Sequence, residues 1–156
     1  MTGYFLDSSA LVKRYVDETG SDWIRGLMNA GSSHEFVVAA VTRVEVAAAF
    51  AARFRARPQV SPLDQRAVLR RFLQDCDERC VVIGVIPQVI GEAVALTQRY
   101  RLRGYDAVQL ASALVASREL VSRGMAPLVL VSADSDLLIA AAGEDLAVEN
   151  PLDHLL

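Results

Sequence analysis

The sequence predicts a three-layer α/β/α fold built on a mostly parallel five-stranded sheet. Short runs rich in β-branched residues alternate along the chain with longer segments of helical periodicity. Strands separated by helices imply crossover connections, which make neighbouring strands parallel and cover both faces of the sheet. The chain has 156 residues, of which 53% are hydrophobic, and this suffices for one buried core. We therefore expect a single domain over residues 1–156.

The strands are predicted from the short apolar runs YFLD, EFVVA, VVIGVI, LVLVS and LAVE. Their predicted bounds, in chain order, are Tyr4–Asp7, Glu35–Ala39, Val81–Ile86, Leu128–Ser132 and Leu146–Glu149. The intervening segments are longer and carry apolar residues at helical spacing. The predicted helices are Ala10–Asp17, Asp22–Ala30, Val44–Arg57, Leu63–Glu78, Val89–Tyr100, Ala107–Arg123 and Leu137–Ala142. Pro58 and Pro62 interrupt the pattern between the third and fourth helices, so we expect those two to form a hairpin.

Acidic residues stand where predicted strands end or the following helices begin. Asp7 ends the first strand, Glu45 begins the helix after the second, and Asp106 opens a long apolar helix. Asp134 and Asp136 follow the fourth strand. Ligands of parallel sheets bind beyond the carboxyl ends of the strands, near the point where strand order reverses. We therefore expect four or five carboxylates to converge at one edge of the sheet.

Each acid also has an ordinary structural interpretation. Asp7 and Asp134 can cap helices, Thr42 and Glu45 have the spacing of a capping box, and Asp106 can interact with a helix dipole. A cluster at one edge is harder to explain in this way, because like charges at short range force protonation or recruit a cation. Oxygen ligands without His or Cys favour Mg²⁺ or Mn²⁺.

Such a cluster suits cleavage of a phosphodiester. A bound metal ion lowers the pKa of a water molecule to make the nucleophile, and a second ion or a carboxylate stabilises the leaving oxygen. Ser9 and Ser132 each lie two residues from an aspartate of the predicted cluster. They have two interpretations: they orient a carboxylate, a water or a phosphate oxygen, or they are turn and cap serines.

The charge of the chain is unevenly distributed. The formal net charge is −3, but arginines are clustered, which predicts either a basic rim around an acidic site or ordinary solvated helix faces. The clusters are Arg53, Arg55 and Arg57; Arg66, Arg70 and Arg71; and Arg99, Arg101 and Arg103.

Cysteine usage and hydropathy predict a cytoplasmic protein. Cys76 and Cys80 are one helical turn apart, while His34 and His154 are distant in sequence, so a zinc site lacks ligands and we expect reduced thiols. No apolar run approaches the length of a membrane span, and no signal-peptide pattern is present.

Four segments together resemble a known family. FLDSSALVK, TRVE, YDAVQLASA and VSADSDLL occur in the order of the motifs of PIN-domain ribonucleases, and within them of VapC-type toxins of bacterial toxin–antitoxin pairs. The resemblance implies a metal-dependent endoribonuclease that uses Mg²⁺ or Mn²⁺, forms a homodimer and is inhibited by a VapB-type antitoxin. By the same resemblance, Asp7, Glu45, Asp106 and Asp134 match the acidic site of the family, which binds the metal, and Ser132 matches its small hydroxyl residue.

One position departs from the family pattern. Many relatives carry a His three residues after the third acid, where this chain has Gln109. An amide cannot act as an acid, and we expect it to hydrogen-bond Asp106 one helical turn back. Asp136 is close enough in sequence to contribute to the site, or is simply an acid in the first turn of its helix.

Other functions remain as alternatives. A phosphatase of the haloacid dehalogenase type needs a second Asp where Ser9 stands, and neither glycine-rich phosphate-binding motif occurs. Two alternatives are consistent with the same residues: a non-catalytic PIN-like module that binds RNA or protein, and a nuclease that acts on DNA by the same metal chemistry.

Overall fold

The computed structural model describes residues 1–29 and 31–154, which form a five-stranded sheet with helices on both faces. The strands are β1 (Gly3–Leu6), β2 (Glu35–Ala39), β3 (Cys80–Ile83), β4 (Val129–Val131) and β5 (Ala147–Glu149). The α-helices are α1 (Ser8–Leu11), α2 (Ser21–Leu27), α3 (Thr42–Arg55), α4 (Pro62–Arg79), α5 (Pro87–Arg99), α6 (Gly104–Ser122) and α7 (Ser135–Gly143). Short 3-10 helices occupy Val12–Arg14 and Pro151–Asp153.

The sheet confirms the predicted fold class. The strand order is β3-β2-β1-β4-β5, and every strand pair is parallel, so the sheet is wholly parallel. The central strand β1 pairs with β2 on one side and with β4 on the other, and Phe5 lies opposite Val37 and Leu130. The strand order therefore reverses at β1, and the carboxyl ends of β1 and β4 form the crevice in which such sheets bind ligands.

Successive residues of the central strands face opposite layers. Phe5 packs in a core with α5, α6 and α7, whereas Leu6 packs in a second core with α1 to α4. Both side chains are fully buried. Successive side chains point to opposite faces of the sheet, and helices cover both faces. Side chains that point either way from a central strand are therefore covered, which explains the continuous apolar runs in the sequence. Each such side chain stabilises the fold by about 1.5–3 kcal/mol.

The predicted hairpin between the third and fourth helices is present. Helix α3 packs against α4, and the rings of Phe50 and Phe72 meet edge to face with centroids 5.7 Å apart. Pro62 occupies the first turn of α4, and the side chain of Ser61 caps the helix by accepting a hydrogen bond from the Asp64 N–H. A proline is tolerated there because the N–H it lacks has no partner within the helix.

Some element boundaries differ from the prediction. The predicted first helix, Ala10–Asp17, is instead α1 followed by a 3-10 turn that ends at Arg14. Strand β3 is shorter than predicted because the chain leaves the sheet at Gly84, before Pro87 begins α5. Helix α2 ends at Leu27, and Ala30, the predicted end, lies outside the described residues.

The two cysteines have the reduced thiols that the sequence predicts. Cys76 and Cys80 are free thiols, and burial raises their pKa values to about 12 and about 11, so neither is a reactive thiolate at neutral pH. Within residues 1–29 and 31–154, no helix is both long enough and apolar enough to cross a bilayer.

Candidate active site

Asp7 lies at the junction of the central strand and α1. Its Oδ1 accepts a hydrogen bond from the Ala10 N–H at 2.9 Å, so the carboxylate is the cap of this helix. Its own N–H donates to the carbonyl of Val131 at 3.2 Å, which joins the ends of β1 and β4. The residue is only 3% exposed. A cap alone does not require such burial, since caps function at helix ends in water.

Two serine hydroxyls, 3.3 Å apart, hold the Asp7 carboxylate by hydrogen bonds. The Ser132 hydroxyl donates to Oδ2 at 2.6 Å, and the Ser9 hydroxyl donates to Oδ1 at 2.8 Å. The hydroxyl oxygens in turn accept from the backbone N–H groups of Asp134 and Ala133, at 3.0 and 2.9 Å. The serines thus orient a carboxylate, which is one of their two predicted roles, and connect the loops after β1 and β4.

The pKa of Asp7 is raised from 3.8 to about 6. Burial is the largest cause, and hydrogen bonds from Ser132, Ala10 and Ser9 oppose it because they favour the charged form. The negative charge of Asp106 adds a smaller increase. The sequence suggested like-charge repulsion as the main cost of this cluster. The pKa of Asp7 is instead raised mainly by the removal of its carboxylate from water, and repulsion from Asp106 contributes less.

The four predicted metal ligands line one pocket of about 250 Å³. Glu45 reaches it from α3, Asp106 from the first turn of α6, and Asp134 from the start of α7, where its Oδ1 caps the helix through the N–H groups of Asp136 and Leu137. Four distant parts of the chain thus contribute a carboxylate each to the lining of this pocket.

The electrostatics of the pocket show mutual influence between its acids. Partial burial raises the pKa of Asp106, and the charges of Asp134 and Glu45 raise it further, while Arg103 lowers it. The Arg103 Nε lies 3.5 Å from the Asp106 Oδ2, but the arginine side chain is 88% exposed. Such an exposed pair stabilises the fold by less than about 1 kcal/mol and can open easily.

Gln109 contacts a different acid from the one predicted. Its Nε2 donates to the Glu45 Oε1 at 2.7 Å and to the Thr42 Oγ1 at 2.8 Å, so the predicted hydrogen bond to Asp106 is wrong. The reason is that the residue is 1% exposed and buried against the start of α3, where both N–H groups of its amide find acceptors.

Thr42 and Glu45 do not form the capping box that their spacing allowed; both side chains accept hydrogen bonds from Gln109 instead. Helix α3 begins at Thr42 itself, and the residue before it, Val41, makes no side-chain cap. Gln109, whose amide is also bonded to Thr42, holds the Glu45 side chain at the pocket. The Oε1 of Gln109 is buried without a hydrogen-bond partner among the described residues, which costs about 1–3 kcal/mol.

Asp136 lies beside the pocket rather than in it. Its side chain is exposed and lines an adjoining pocket of about 510 Å³, which it shares with Asp106 and Asp134. It also stands in the first turn of α7, as its alternative interpretation required.

The donor set of the pocket fits a hard divalent cation. Its charged ligands are all carboxylates, and the three donors to Asp7 leave that carboxylate about one of its four lone-pair sites for a metal. Among the described residues, no three His, Cys, Asp or Glu side chains are already close enough together to hold an ion.

Two arginines also line the pocket, Arg53 and Arg103. They come from two of the clusters in which the sequence predicted a basic rim. The other members of those clusters, Arg55, Arg57, Arg99 and Arg101, do not line it. Sequence spacing alone did not identify which arginine faces the acids.

Comparison with known proteins gives a consistent result. The family model described as the PIN domain matches residues 4–142. The fold is similar to a chain of a toxin–antitoxin complex from Klebsiella pneumoniae, with a TM-score of 0.60 and 18% identity, over 95% of this chain and 97% of that one. It is also similar to a chain of VapBC2 from Rickettsia felis bound to a promoter DNA fragment, with a TM-score of 0.59 and 11% identity, over 96% and 98% of the two chains. No curated protein sequence matches significantly.

Proposed function

Since the chain belongs to the PIN-domain family, we propose that it is a metal-dependent endoribonuclease and the toxin of a VapBC-type toxin–antitoxin pair. The observation that carries the proposal is the convergence of Asp7, Glu45, Asp106 and Asp134 on one pocket at the carboxyl end of the central strand. We propose further that residues 1–156 form one nuclease domain. Because RNA is the proposed substrate, the site of action is the cytoplasm.

The four carboxylates would hold Mg²⁺ or Mn²⁺, which PIN-domain nucleases generally use. The metal ion, when bound, supplies a water of lowered pKa and stabilises charge on the phosphate. The chain contributes orientation: Ser9 and Ser132 hold the Asp7 carboxylate, and Gln109 holds Glu45. Hydrogen bonds of this kind fix the direction of ligand oxygens before binding, which lowers the cost of assembling the site.

The partners are proposed from the structural neighbours. Both come from toxin–antitoxin complexes, which supports a VapB-type antitoxin as the partner of this chain. The alternatives are a non-catalytic PIN-like module that binds RNA or protein, and a nuclease directed at DNA. The presence of the complete acid set in one pocket favours catalysis over a purely binding role.

Metal dependence is the direct test of this function. The antitoxin-free protein is expected to cleave structured RNA in Mg²⁺ or Mn²⁺, to stop when EDTA is added, and to resume when Mn²⁺ is restored, because clustered carboxylates act only through the ion. Gel analysis of labelled RNA measures this, with single-stranded DNA of the same sequence as a comparison. Cleavage that continues after chelation and dialysis contradicts the mechanism, whereas cleavage of DNA alone supports the DNA-directed alternative.

The homodimer that the family resemblance implies has a candidate surface on α5. Ile86, Ile90 and Val94 follow one another at intervals of one helical turn, and all three are exposed. Exposed apolar side chains in one stripe are typical of an interface. Wild type is therefore expected to be a dimer by light scattering at micromolar concentration, and Val94→Asp a monomer, because the charge would be buried.

The matched control for this experiment is Val121→Asp, which places the same charge at an exposed valine of α6. It should leave the mass unchanged. A monomeric wild type, or a Val94→Asp protein that remains dimeric, rules out α5 as the interface.

A further inference from the structure

Arg53 is held in the wall of the acidic pocket by an ion pair. Its Nε donates to the Glu18 Oε2 at 3.0 Å, and its Nη2 donates to the Oε1 at 3.2 Å. Lys13 donates to the same carboxylate at 3.0 Å and is itself only 7% exposed. Burial would raise the pKa of Glu18, but the hydrogen bonds and charges of Arg53 and Lys13 outweigh it and lower that pKa. The carboxylate therefore remains ionised between the two cations.

Helix α3 places Arg53 in the same pocket as Glu45. Glu45, Ala49 and Arg53 follow at intervals of four residues, and all three line the pocket. The guanidinium Nη1 makes one long contact, 3.4 Å, with the Ala49 carbonyl. Contacts with described residues thus use three of its five N–H groups. The side chain is 32% exposed, so the remaining two donors are available to a ligand.

Arg53, Lys13 and Glu18 together carry a net positive charge. Two cations share one carboxylate, which leaves one uncompensated positive charge beside four acids. Glu18 is the acid within ion-pair distance of Arg53 among the described residues, so the guanidinium is kept from the site carboxylates although it shares their pocket. Arg103 behaves differently, since it is highly exposed and pairs with Asp106.

We propose that Arg53 binds a phosphate of the substrate RNA adjacent to the scissile one, and that Glu18 and Lys13 position it for this contact. The inference rests on the proposed nuclease function. Four carboxylates repel a polyanion that enters their pocket, and a guanidinium offsets this repulsion while its paired N–H groups match phosphate oxygens. Glu18 serves a second purpose, because a free Arg53 would pair with the acids and compete with the metal ion.

The alternative is that the ion pair only joins α3 to the loop that contains Glu18. Salt dependence separates the two roles. The binding constant of a single strand falls with salt, and each phosphate contact increases the magnitude of the slope of log K against log salt by about 0.7. Binding of fluorescent single-stranded RNA is measured by anisotropy in EDTA, where no cleavage interferes. Arg53→Gln is expected to weaken binding about tenfold and to reduce the slope by about 0.7, whereas Arg53→Lys should retain the slope.

Arg118→Gln is the matched control, since Arg118 also makes a two-pronged ion pair between elements, with Glu92, outside the pocket. It should leave both the affinity and the slope unchanged. Thermal melts of each variant exclude misfolding as the cause of lost binding. A slope in Arg53→Gln equal to that of wild type overturns the proposal, whatever the change in affinity.

The positioning role of Glu18 has its own readout. Glu18→Gln should weaken Mn²⁺ binding, followed by electron paramagnetic resonance, because the released guanidinium pairs with the site carboxylates. The double variant Glu18→Gln/Arg53→Gln should restore it. Unchanged Mn²⁺ affinity in Glu18→Gln contradicts this role.

The role of Arg53 and the proposed RNA cleavage can be contradicted independently of each other. If wild type binds and cleaves RNA while Arg53→Gln keeps its slope, only the role of Arg53 is wrong. If wild type prefers single-stranded DNA but Arg53→Gln lowers the slope, the phosphate contact stands and the RNA function is wrong. If wild type binds neither nucleic acid, both are wrong.

Discussion

Asp106→Ala is expected to lose metal binding and to cleave RNA at least about a thousandfold more slowly than wild type. Asp106 lies in the pocket with the three other acids, and Arg103 is its one weak ion-pair partner among the described residues. Stabilisation of phosphate charge by a bound ion amounts to several kcal/mol, and each 1.36 kcal/mol is tenfold in rate. Single-turnover cleavage and calorimetric titration with Mn²⁺ measure the two losses.

Gln109→Ala should have a smaller effect than Asp106→Ala, of about 10- to 100-fold. The amide holds Glu45 through one hydrogen bond of 2.7 Å but lies outside the pocket, and loss of such an orienting contact costs that much in metal affinity or activity. The loss should appear mainly in the affinity for Mn²⁺, so that saturating metal restores much of the rate. Equal and unrecoverable losses in both variants would mean that Gln109 takes a direct part in the reaction.

Asp64→Ala is the matched control for Asp106→Ala. Asp64 also stands in the first turn of a long helix, but it is exposed and lies on α4, outside the pocket. Its removal deletes a carboxylate near a helix N-terminus and nothing else. Wild-type activity and metal affinity in Asp64→Ala would show that the position of the carboxylate in the pocket is what matters.

The second large effect is an increase in the stability of the metal-free protein on Asp7→Asn. The difference between a pKa of 3.8 and one of about 6 corresponds to about 3 kcal/mol that the buried charge costs the fold at neutral pH. Burial of the neutral amide also has a cost, so we expect a net gain of about 1 kcal/mol. In a domain of this size the melting temperature should rise by about 2–4 °C.

The surroundings of Asp7 accept an asparagine. The Oδ1 can keep its bond from the Ala10 N–H, and the new NH₂ group can donate to the hydroxyl oxygen of Ser132 after that hydroxyl turns. The helix cap is therefore retained, because Asn caps about as well as Asp. The predicted gain thus comes from the loss of the charge alone.

The pH dependence of this gain has a definite sign. Between pH 3.8 and about 6 the folded protein keeps the Asp7 proton that the unfolded chain has released, so the stability of wild type falls as the pH rises through this window. Asp7→Asn lacks that decrease. The two melting temperatures should therefore be closest below about pH 4 and should separate up to about pH 6–7.

Magnesium should reverse the order of the two proteins. With all four proposed ligands, wild type is expected to gain stability by binding the ion only when folded, whereas Asp7→Asn should lose most of that gain and its cleavage activity. Melts in EDTA and in millimolar Mg²⁺ at several pH values test this. A variant that is less stable than wild type in EDTA, and active in Mg²⁺, would make Asp7 a structural residue.

The fold and the acids of the site were largely accessible from the sequence. Strands buried on both faces leave continuous apolar runs; Asp7 stands directly after one such run and Asp134 within three residues of another. Parallel topology then brings such residues to one edge without any knowledge of side-chain contacts. The boundaries were less predictable, because the first helix changes to a 3-10 turn at Val12, where no Gly or Pro marks the change.

The supporting contacts were not accessible for a different reason. Gln109 and Asp106 are one turn apart on the same helix, yet the amide turns toward Glu45, which is 64 positions away in sequence. Glu18 and Arg53 are 35 positions apart. Local spacing predicts only contacts within one element, and the direction in which a side chain leaves its helix depends on the packing of its neighbours.

The central position of β1 has a consequence for the order of events on the ribosome. The first strand to be synthesised must wait for β4, whose Val131 pairs with Leu6, before the sheet can close around it. At about 5–20 residues per second, this delay is roughly 6–25 s. Asp134 emerges later still, so a nascent or prematurely terminated chain lacks both the fourth acid and the strand that fixes Asp7. Under the proposed function, no cleavage is therefore expected from a chain whose synthesis has not passed Asp134.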